Sequence, residues 1–407
     1  MKENTNKLTI APALMTVIIS LYFYWGVLTL MNDLLVPLFK QDFHLDYFRA
    51  TLVQFSFFAS YLLCAFPAVK LLNRVNYKKY LMIGLAVLIV GCLLFIAAGA
   101  WHVYAFLLLA LFILGTGVVI IQVAANPILA QLGAAKTSSA RLALGHAFTA
   151  FGFAVTPFVL SSYVSMSHMK VIYLVIAAVM GLSILWVNVS SFNLPELHVD
   201  KQPLQLDKNR SLWLSPLFVG SFLGIFFYVG AEVSIGSLIV NYLKLPQIVH
   251  FSMRHAAQYL SLYWGGSMLG RFIGSRLLMK RSAAMMLTVH AMMNMLLLVG
   301  AVTLTGYWAM WSLLSIGLFN SIMFPVIFSL GLSCSPNSKH KNIVSASLAL
   351  ATSGAALIPV FQGWMADRIG LQHSFGILIF CYLYIAFFGY IAHTQIRRNQ
   401  KNMPVTM

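Results

Sequence analysis

Apolar runs recur along the whole chain, at about 10–39, 50–69, 80–100, 102–130, 142–165, 171–193, 212–243, 257–279, 283–304, 306–333, 343–364 and 373–394. About 20 predominantly apolar residues, wound as a helix, cross the roughly 30 Å hydrocarbon core of a bilayer. Barrel strands alternate polar and apolar residues, and these runs do not. Only 9% of the residues are charged and 60% are hydrophobic, against about 25% charged in soluble domains. The chain is expected to be an all-α membrane protein with twelve transmembrane helices.

The longest polar connection, "PELHVDKQPLQLDKNR" at 195–210, divides six spans from six. Residues 1–194 and 212–407 are therefore expected to be two six-helix halves, joined by a cytoplasmic linker at 195–211. With a cytoplasmic N-terminus, 19 of the 26 Lys and Arg fall in cytoplasmic segments. Six lie outside (Lys40, Arg49, Lys170, Lys244, Arg254, Arg368), and Arg271 lies within a span. That asymmetry sets orientation by the positive-inside rule. It also accounts for most of the +17 formal charge and removes the nucleic-acid reading that such an excess otherwise invites.

The halves echo each other. Span 5 and span 11 both carry Gly-x4-Pro, at Gly152/Pro157 and Gly354/Pro359, and spans 2 and 8 each run into a basic turn. Two six-span halves in parallel repeat are the organisation of major-facilitator transporters, two pseudo-symmetric bundles around a central site near mid-membrane.

Four scattered cysteines (Cys64, Cys92, Cys334, Cys381) form no CxxC or Cys/His group and read as packing residues. No cleavable signal is expected, because the first apolar run is too long for one. Walker A, HExxH, GxSxG and dinucleotide fingerprints do not occur. An ATP-driven pump or hydrolase lacks its usual equipment, so no enzymatic activity, cofactor or metal is expected.

Candidate chemistry sits in the few polar residues at membrane depth. Asp33 is the only charge between Leu8 and Phe39, and Glu232 the only one between Ser211 and Leu243. A buried carboxylate costs several kcal/mol there and marks an ion or substrate pathway by default; the other reading is a buried pair or a neutral acid bonded to backbone. The remaining seven acids, Asp367 among them, fall in termini or loops and read as solvated charges. Arg271 follows a Gly266/Gly270/Gly274 stripe that lets another helix approach, and it reads as a structural brace. In "IQVAANP", Gln122 and Asn126 share a helix face beside Pro127; such amides bond hydroxyl-rich ligands or neighbouring helices. Asn32, Gln54, His146 and Asn320 are further polar points. Trp264 is a candidate stacking platform among many aromatics, including Trp25, Tyr228, Tyr263 and Phe324.

In order, "LMNDLLVP", "LVQFSFFASY", "IQVAANP", "RLALGHAF", "FYVGAEVSIGSLIVNYL", "YWGGSMLGRFIGS" and "NSIMFPVIFSLGL" resemble the fucose–galactose–glucose:cation symporter family of the major facilitator superfamily. The segments around Glu232 and "YWGG" look more like its glucose/galactose branch. The resemblance implies hexose uptake across the bacterial inner membrane by alternating access, coupled to H⁺ or Na⁺. It places the coupling acid at Asp33. Gln122 stands where fucose permeases have a second carboxylate, a departure shared with the glucose/galactose branch. In span 5 the family commonly reads Arg-Leu-Asn-Leu-x-Gln-x-Phe-Asn. This chain has Ala143, His146 and Thr149 at those polar positions, so its hydrogen-bonding pattern toward a sugar must differ.

The expected function is secondary active uptake of a hexose or related small polar solute. Asp33 and Glu232 would couple the cation, with Glu232 replacing the acid lost at position 122. Asn32, Gln54, Gln122, Asn126, His146, Asn320 and Trp264 would bind substrate. An exporter of the same fold, or less readily an intramembrane enzyme, are the alternatives. The partners are the bilayer and a small solute, and nothing in the sequence demands an oligomer.

Overall fold

The structure is a computed structural model describing residues 12–72, 74–131, 138–189, 215–333, 344 and 347–401. The linker at 195–211 and Cys334 lie outside these residues. So do the side chains of Asn126 and Ala143. Free cysteines Cys92 and Cys381 are buried and Cys64 is half-buried.

Among the described residues, beside short helical turns at Ser161–Tyr163, Leu371–Ser374 and Phe375–Ile377, the long helices are twelve, one of them in two pieces. They are α1 (Pro12–Asp42), α2 (Tyr47–Leu72), α3 (Tyr77–Trp101), α4 (Tyr104–Gln131), α5 (Ser138–Leu160) and α6 (Met166–Val189). α7 (Pro216–Leu243), α8 (Met253–Leu278) and α9 (Ala283–Thr303) follow. α10 is broken into Gly306–Asn320 and Met323–Ser333. α11 ends at Ile369, its main part being Gly354–Ile369, and α12 is Leu378–Lys401. Hydrocarbon offers the backbone no partner, so each span must close its hydrogen bonds on itself. Ten of the segments are both long and apolar enough to cross a membrane. α8 is long enough, at 26 residues, but polar and basic side chains such as Arg254 and Arg271 lower its hydropathy.

Side chains close the helix starts. Asn76, Ser252 and Ser282 accept the backbone N–H three residues on in α3, α8 and α9. At α2, Asp46 Oδ1 accepts Arg49 N at 2.7 Å. Asp367, at the end of α11, takes the two preceding donors: its Oδ1 accepts Tyr47 N and its Oδ2 accepts Phe48 N, both at 2.8 Å. Asp367 is a solvent-exposed charge as expected, but it stands in the last turn of a helix rather than in a loop and caps α2. A carboxylate is drawn to the positive end of a helix, where N–H groups lack partners.

The chain divides into two compact units. One comprises Met1–Asn32, Ser56–Thr156 and Tyr163–Lys201; the other comprises Asp33–Phe55, Pro157–Ser162 and Gln202–Met407. Within the first, α1 crosses α5 so closely that a Cβ on Gly26 would strike Thr149 O, and one on Gly152 would lie 3.1 Å from Phe23 O. Within the second, α7 crosses α11 in the same way. A Cβ on Gly230 would lie 3.0 Å from Gly354 O, and one on Gly354 would strike Phe226 O. The repeated Gly-x4-Pro signal is thus a repeated helix crossing, made where only glycine lets two backbones touch.

Candidate functional site

The second unit gathers most of the chemistry. Asp33, 4% exposed, lies on α1 just before that helix's last two turns. Its Oδ1 accepts Gln54 Nε2 of α2 at 2.9 Å and the Ser237 hydroxyl of α7 at 3.1 Å. Gln54 Nε2 also donates to Ser237 Oγ at 2.8 Å, closing a triangle between three helices. The other carboxyl oxygen packs on α7 backbone: a Cβ on Gly236 would lie 2.6 Å from Oδ2 and 3.3 Å from the Trp264 ring. Gly236 is therefore the floor under the carboxyl, and the Trp264 indole stands beside it.

Ser237 has a second possible acceptor. Its hydroxyl lies 2.6 Å from Val233 O, one turn back on α7. A hydroxyl has one proton and two lone pairs. Pointed at Asp33 it serves a carboxylate; turned to Val233 O it leaves a lone pair that can accept from a carboxylic acid. The triangle can hold either protonation state of Asp33 without moving a helix.

Glu232 lies one turn and a residue before Ser237 on α7 and is half-buried. Its Oε1 accepts the Tyr228 hydroxyl at 2.7 Å. Arg271 is the cation it feels, and Glu232 is in turn the like charge felt by Asp33. Neither acid has a cation within ion-pair distance among the described residues.

Asn320 stands at the break in α10 and ties five helices together. Its Oδ1 accepts Asn294 Nδ2 and the Tyr382 hydroxyl, each at 2.8 Å, and its Nδ2 donates to Tyr263 Oη at 3.0 Å. Tyr263 passes the chain on to the Glu232 carbonyl at 3.4 Å. The break also frees the carbonyl of Asn320, a second acceptor for the Tyr228 hydroxyl at 3.1 Å, in competition with Glu232 for its one proton. Such a freed carbonyl at membrane depth must find a partner. In this state the Asn320 amide is spent on protein.

The remaining candidates lie in the first unit. Asn32 is 1% exposed, and both its amide atoms lack partners among the described residues. Gln122 donates to the Tyr61 hydroxyl at 2.6 Å and lines a narrow crevice with Tyr22 and Trp25. His146 meets those two rings edge-on, at centroid distances of 5.5 and 5.6 Å. Thr149 is taken up by the backbone, donating to Tyr22 O at 3.1 Å. Asn126 is on α4, its side chain outside the described atoms.

So the structure joins Asp33, Gln54, Trp264, Glu232 and Asn320 in one unit, and Asn32, Gln122 and His146 in the other. Sequence reasoning missed Ser237, Tyr61, Asn294 and Tyr382. A lone serine or tyrosine in an apolar helix carries no signal of its own, because its meaning depends on what stands opposite. Tyr228 was named only as one aromatic among many, though its place four residues before Glu232, and hence on the same face, is a signal that could have joined the two.

A family model described as Major Facilitator Superfamily matches residues 11–359. The glucose/galactose transporter of Brucella abortus biovar 1 (strain 9-941) is 41% identical over 382 residues, covering 91% of this chain and 92% of that protein. The L-fucose-proton symporter of Escherichia coli (strain K12) is 28% identical, with 86% of each chain covered. Among solved structures, the transporter FucP in its outward conformation aligns with a TM-score of 0.68 at 25% identity, over 94% of this chain and 99% of that one. With that family model matching most of its length and a relative 41% identical over nearly all of it, this chain belongs to the Major Facilitator Superfamily.

Proposed function

We propose that this chain is a secondary active transporter that takes up a hexose or a related small polar solute by alternating access, coupled to a proton or a sodium ion. One observation carries the coupling assignment. Asp33 is a buried carboxyl with no cation beside it, held by a hydroxyl that can either donate to it or accept from it. That arrangement favours a proton.

The substrate class rests on the relatives, whose names specify glucose/galactose and L-fucose. The unpartnered amide of Asn32 supports it, being buried with donor and acceptor both unspent. Asn32, Gln54, Gln122, Asn126 and His146 would bond hydroxyls, Trp264 would stack on the sugar face, and Asn320 would hold the wall behind. Glu232 would act as a second acid in place of the one absent at position 122. No cofactor beyond the coupling ion and no enzymatic step is proposed. The chain would sit in a bacterial inner membrane with both termini cytoplasmic, and one copy would suffice to form the site.

Purified protein in proteoliposomes tests this, with a panel of hexoses and N-acetylhexosamines and imposed pH or Na⁺ gradients. Wild type should accumulate one hexose against its gradient. Asp33→Asn should abolish accumulation while leaving counterflow exchange. Gradient-driven accumulation that survives Asp33→Asn would overturn the coupling assignment.

A further inference from the structure

At one end of the second unit a cavity of about 510 Å³ opens between the last turn of α1, the α1–α2 turn and the end of α7. That is within the range of small-molecule sites, about 300–1,000 Å³. Its chemistry is one-sided. Lys40, His44 and Lys244 line it, together with Gln41, Tyr47 and Asn241, and no Asp or Glu does.

The two lysines are not paired with acid among the described residues. Lys40 spends one N–H on Leu45 O at 2.9 Å and lies 3.9 Å over the Tyr47 ring, which fixes its ammonium at the cavity wall. Asn241 is 7% exposed, and its Nδ2 has no acceptor. A lysine at a helix C-terminus is ordinary, since the dipole favours it. The dipole does not explain why two such lysines converge on one space beside a buried amide that lacks a partner.

We propose that this cavity binds a phosphate-class oxyanion, either free or as a lipid headgroup. The anion answers two ammonium charges on a wall that also carries His44 and no carboxylate, and charge-assisted hydrogen bonds of that kind are the strong ones in oxyanion recognition. Burial and the neighbouring Lys40 charge hold the Lys244 ammonium below the usual lysine range, a cost that a bound anion relieves.

The position gives the site a consequence for transport, which rests on the coupling role proposed for Asp33. Lys40 lies two turns beyond Asp33 on α1, and Asn241 one turn beyond Ser237 on α7. An anion joining Lys40 at the end of α1 to Lys244 at the end of α7 ties the two helices whose side chains meet in the Asp33–Ser237 bond. It should hold the protein in the state in which that bond is made.

The test is thermal unfolding of the full-length protein in a neutral detergent. Inorganic phosphate is titrated against chloride at matched ionic strength. A saturable upward shift with phosphate is expected, lost in K244Q and in K40Q/K244Q and retained in K244R, which keeps the charge and controls for misfolding. Nanodiscs of phosphatidylcholine with and without phosphatidylglycerol separate the sources. If the headgroup is the ligand, phosphatidylglycerol alone stabilises wild type but not K244Q, and phosphate adds nothing. If the free anion is the ligand, phosphate stabilises in both lipids. No dependence on phosphate or phosphatidylglycerol beyond chloride and phosphatidylcholine overturns the site, as does an undiminished shift in K40Q/K244Q. Binding is measured without transport, so it can fail while the uptake assignment stands, and the reverse.

Discussion

Asp33 and Glu232 stand alone in otherwise uncharged spans, and the protein holds them in opposite ways. Asp33 is bonded by two other helices, through Gln54 and Ser237, and seated on the backbone of Gly236. Glu232 takes its hydrogen bond from Tyr228, four residues earlier on its own helix. Every contact around Asp33 therefore depends on how α1, α2 and α7 are docked. The Glu232 contact lies within α7 itself, and the other helices act on it only through the Asn320 carbonyl that competes for the Tyr228 proton and through the Arg271 charge. A group that reports helix position can couple an ion to a conformational change; a group carried along by one helix serves better as a fixed wall or a secondary ion site.

The largest effect expected from this contrast is the loss of accumulation in Asp33→Asn described above. Next comes Gly236→Ala, whose Cβ would lie 2.6 Å from Asp33 Oδ2. Crowding of that kind costs about 1–3 kcal/mol and must displace the carboxyl from Gln54 and Ser237. Gly236→Ala should impair accumulation, as measured by gradient-driven uptake, while Gly265→Ala, where an added Cβ meets nothing, should behave as wild type. Equal uptake by the two would dissolve the claim that the carboxyl's seat matters.

Glu232→Gln sharpens the other side. The amide oxygen still accepts from Tyr228, so only the charge is lost. Accumulation should survive with an apparent affinity weakened about tenfold, roughly 1.4 kcal/mol. If Glu232→Gln instead abolishes accumulation as completely as Asp33→Asn, the two acids work as a pair.

Smaller effects bear on how the Asp33–Phe55 segment is held within the second unit. Asp367→Ala removes the acceptor of Tyr47 N and Phe48 N, and loss of such a cap costs about 1 kcal/mol. A lower melting temperature should result; an unchanged one would show that water replaces the carboxylate freely. The Lys244 ammonium is held below its usual range by burial and Lys40. The folded protein thus binds fewer protons there than the unfolded chain. Stability should rise with pH between the lowered folded value and the ordinary lysine range. In anion-free buffer K244Q should flatten that alkaline rise, as read by thermal unfolding across pH.

Much of the architecture was legible because a bilayer leaves a chain few choices. A run of apolar residues must be a helix if it spans, so twelve runs with a polar gap after the sixth gave the helices and the repeat. Asp33 and Glu232 were legible for the same reason, since charge is conspicuous where it is expensive. Ser237 was not, because serine is common in helices and its importance comes from standing opposite a carboxyl 204 positions away. The exposure of Asp367 was legible, but its capping role was not, because its partners are the N–H groups of α2, 319 and 320 positions away.

The sequence alone determined which segments cross the membrane, where the chain repeats and which two acids are out of place. The tertiary structure decided that one acid is bonded by two other helices and the other by a tyrosine on its own. It also brought Lys40, Asn241 and Lys244 to one cavity. The physical reason is range. Hydrophobic matching and backbone satisfaction act on each span separately and leave their mark in its composition. Hydrogen bonds act over about 3 Å, so their pairing exists only once the helices are packed.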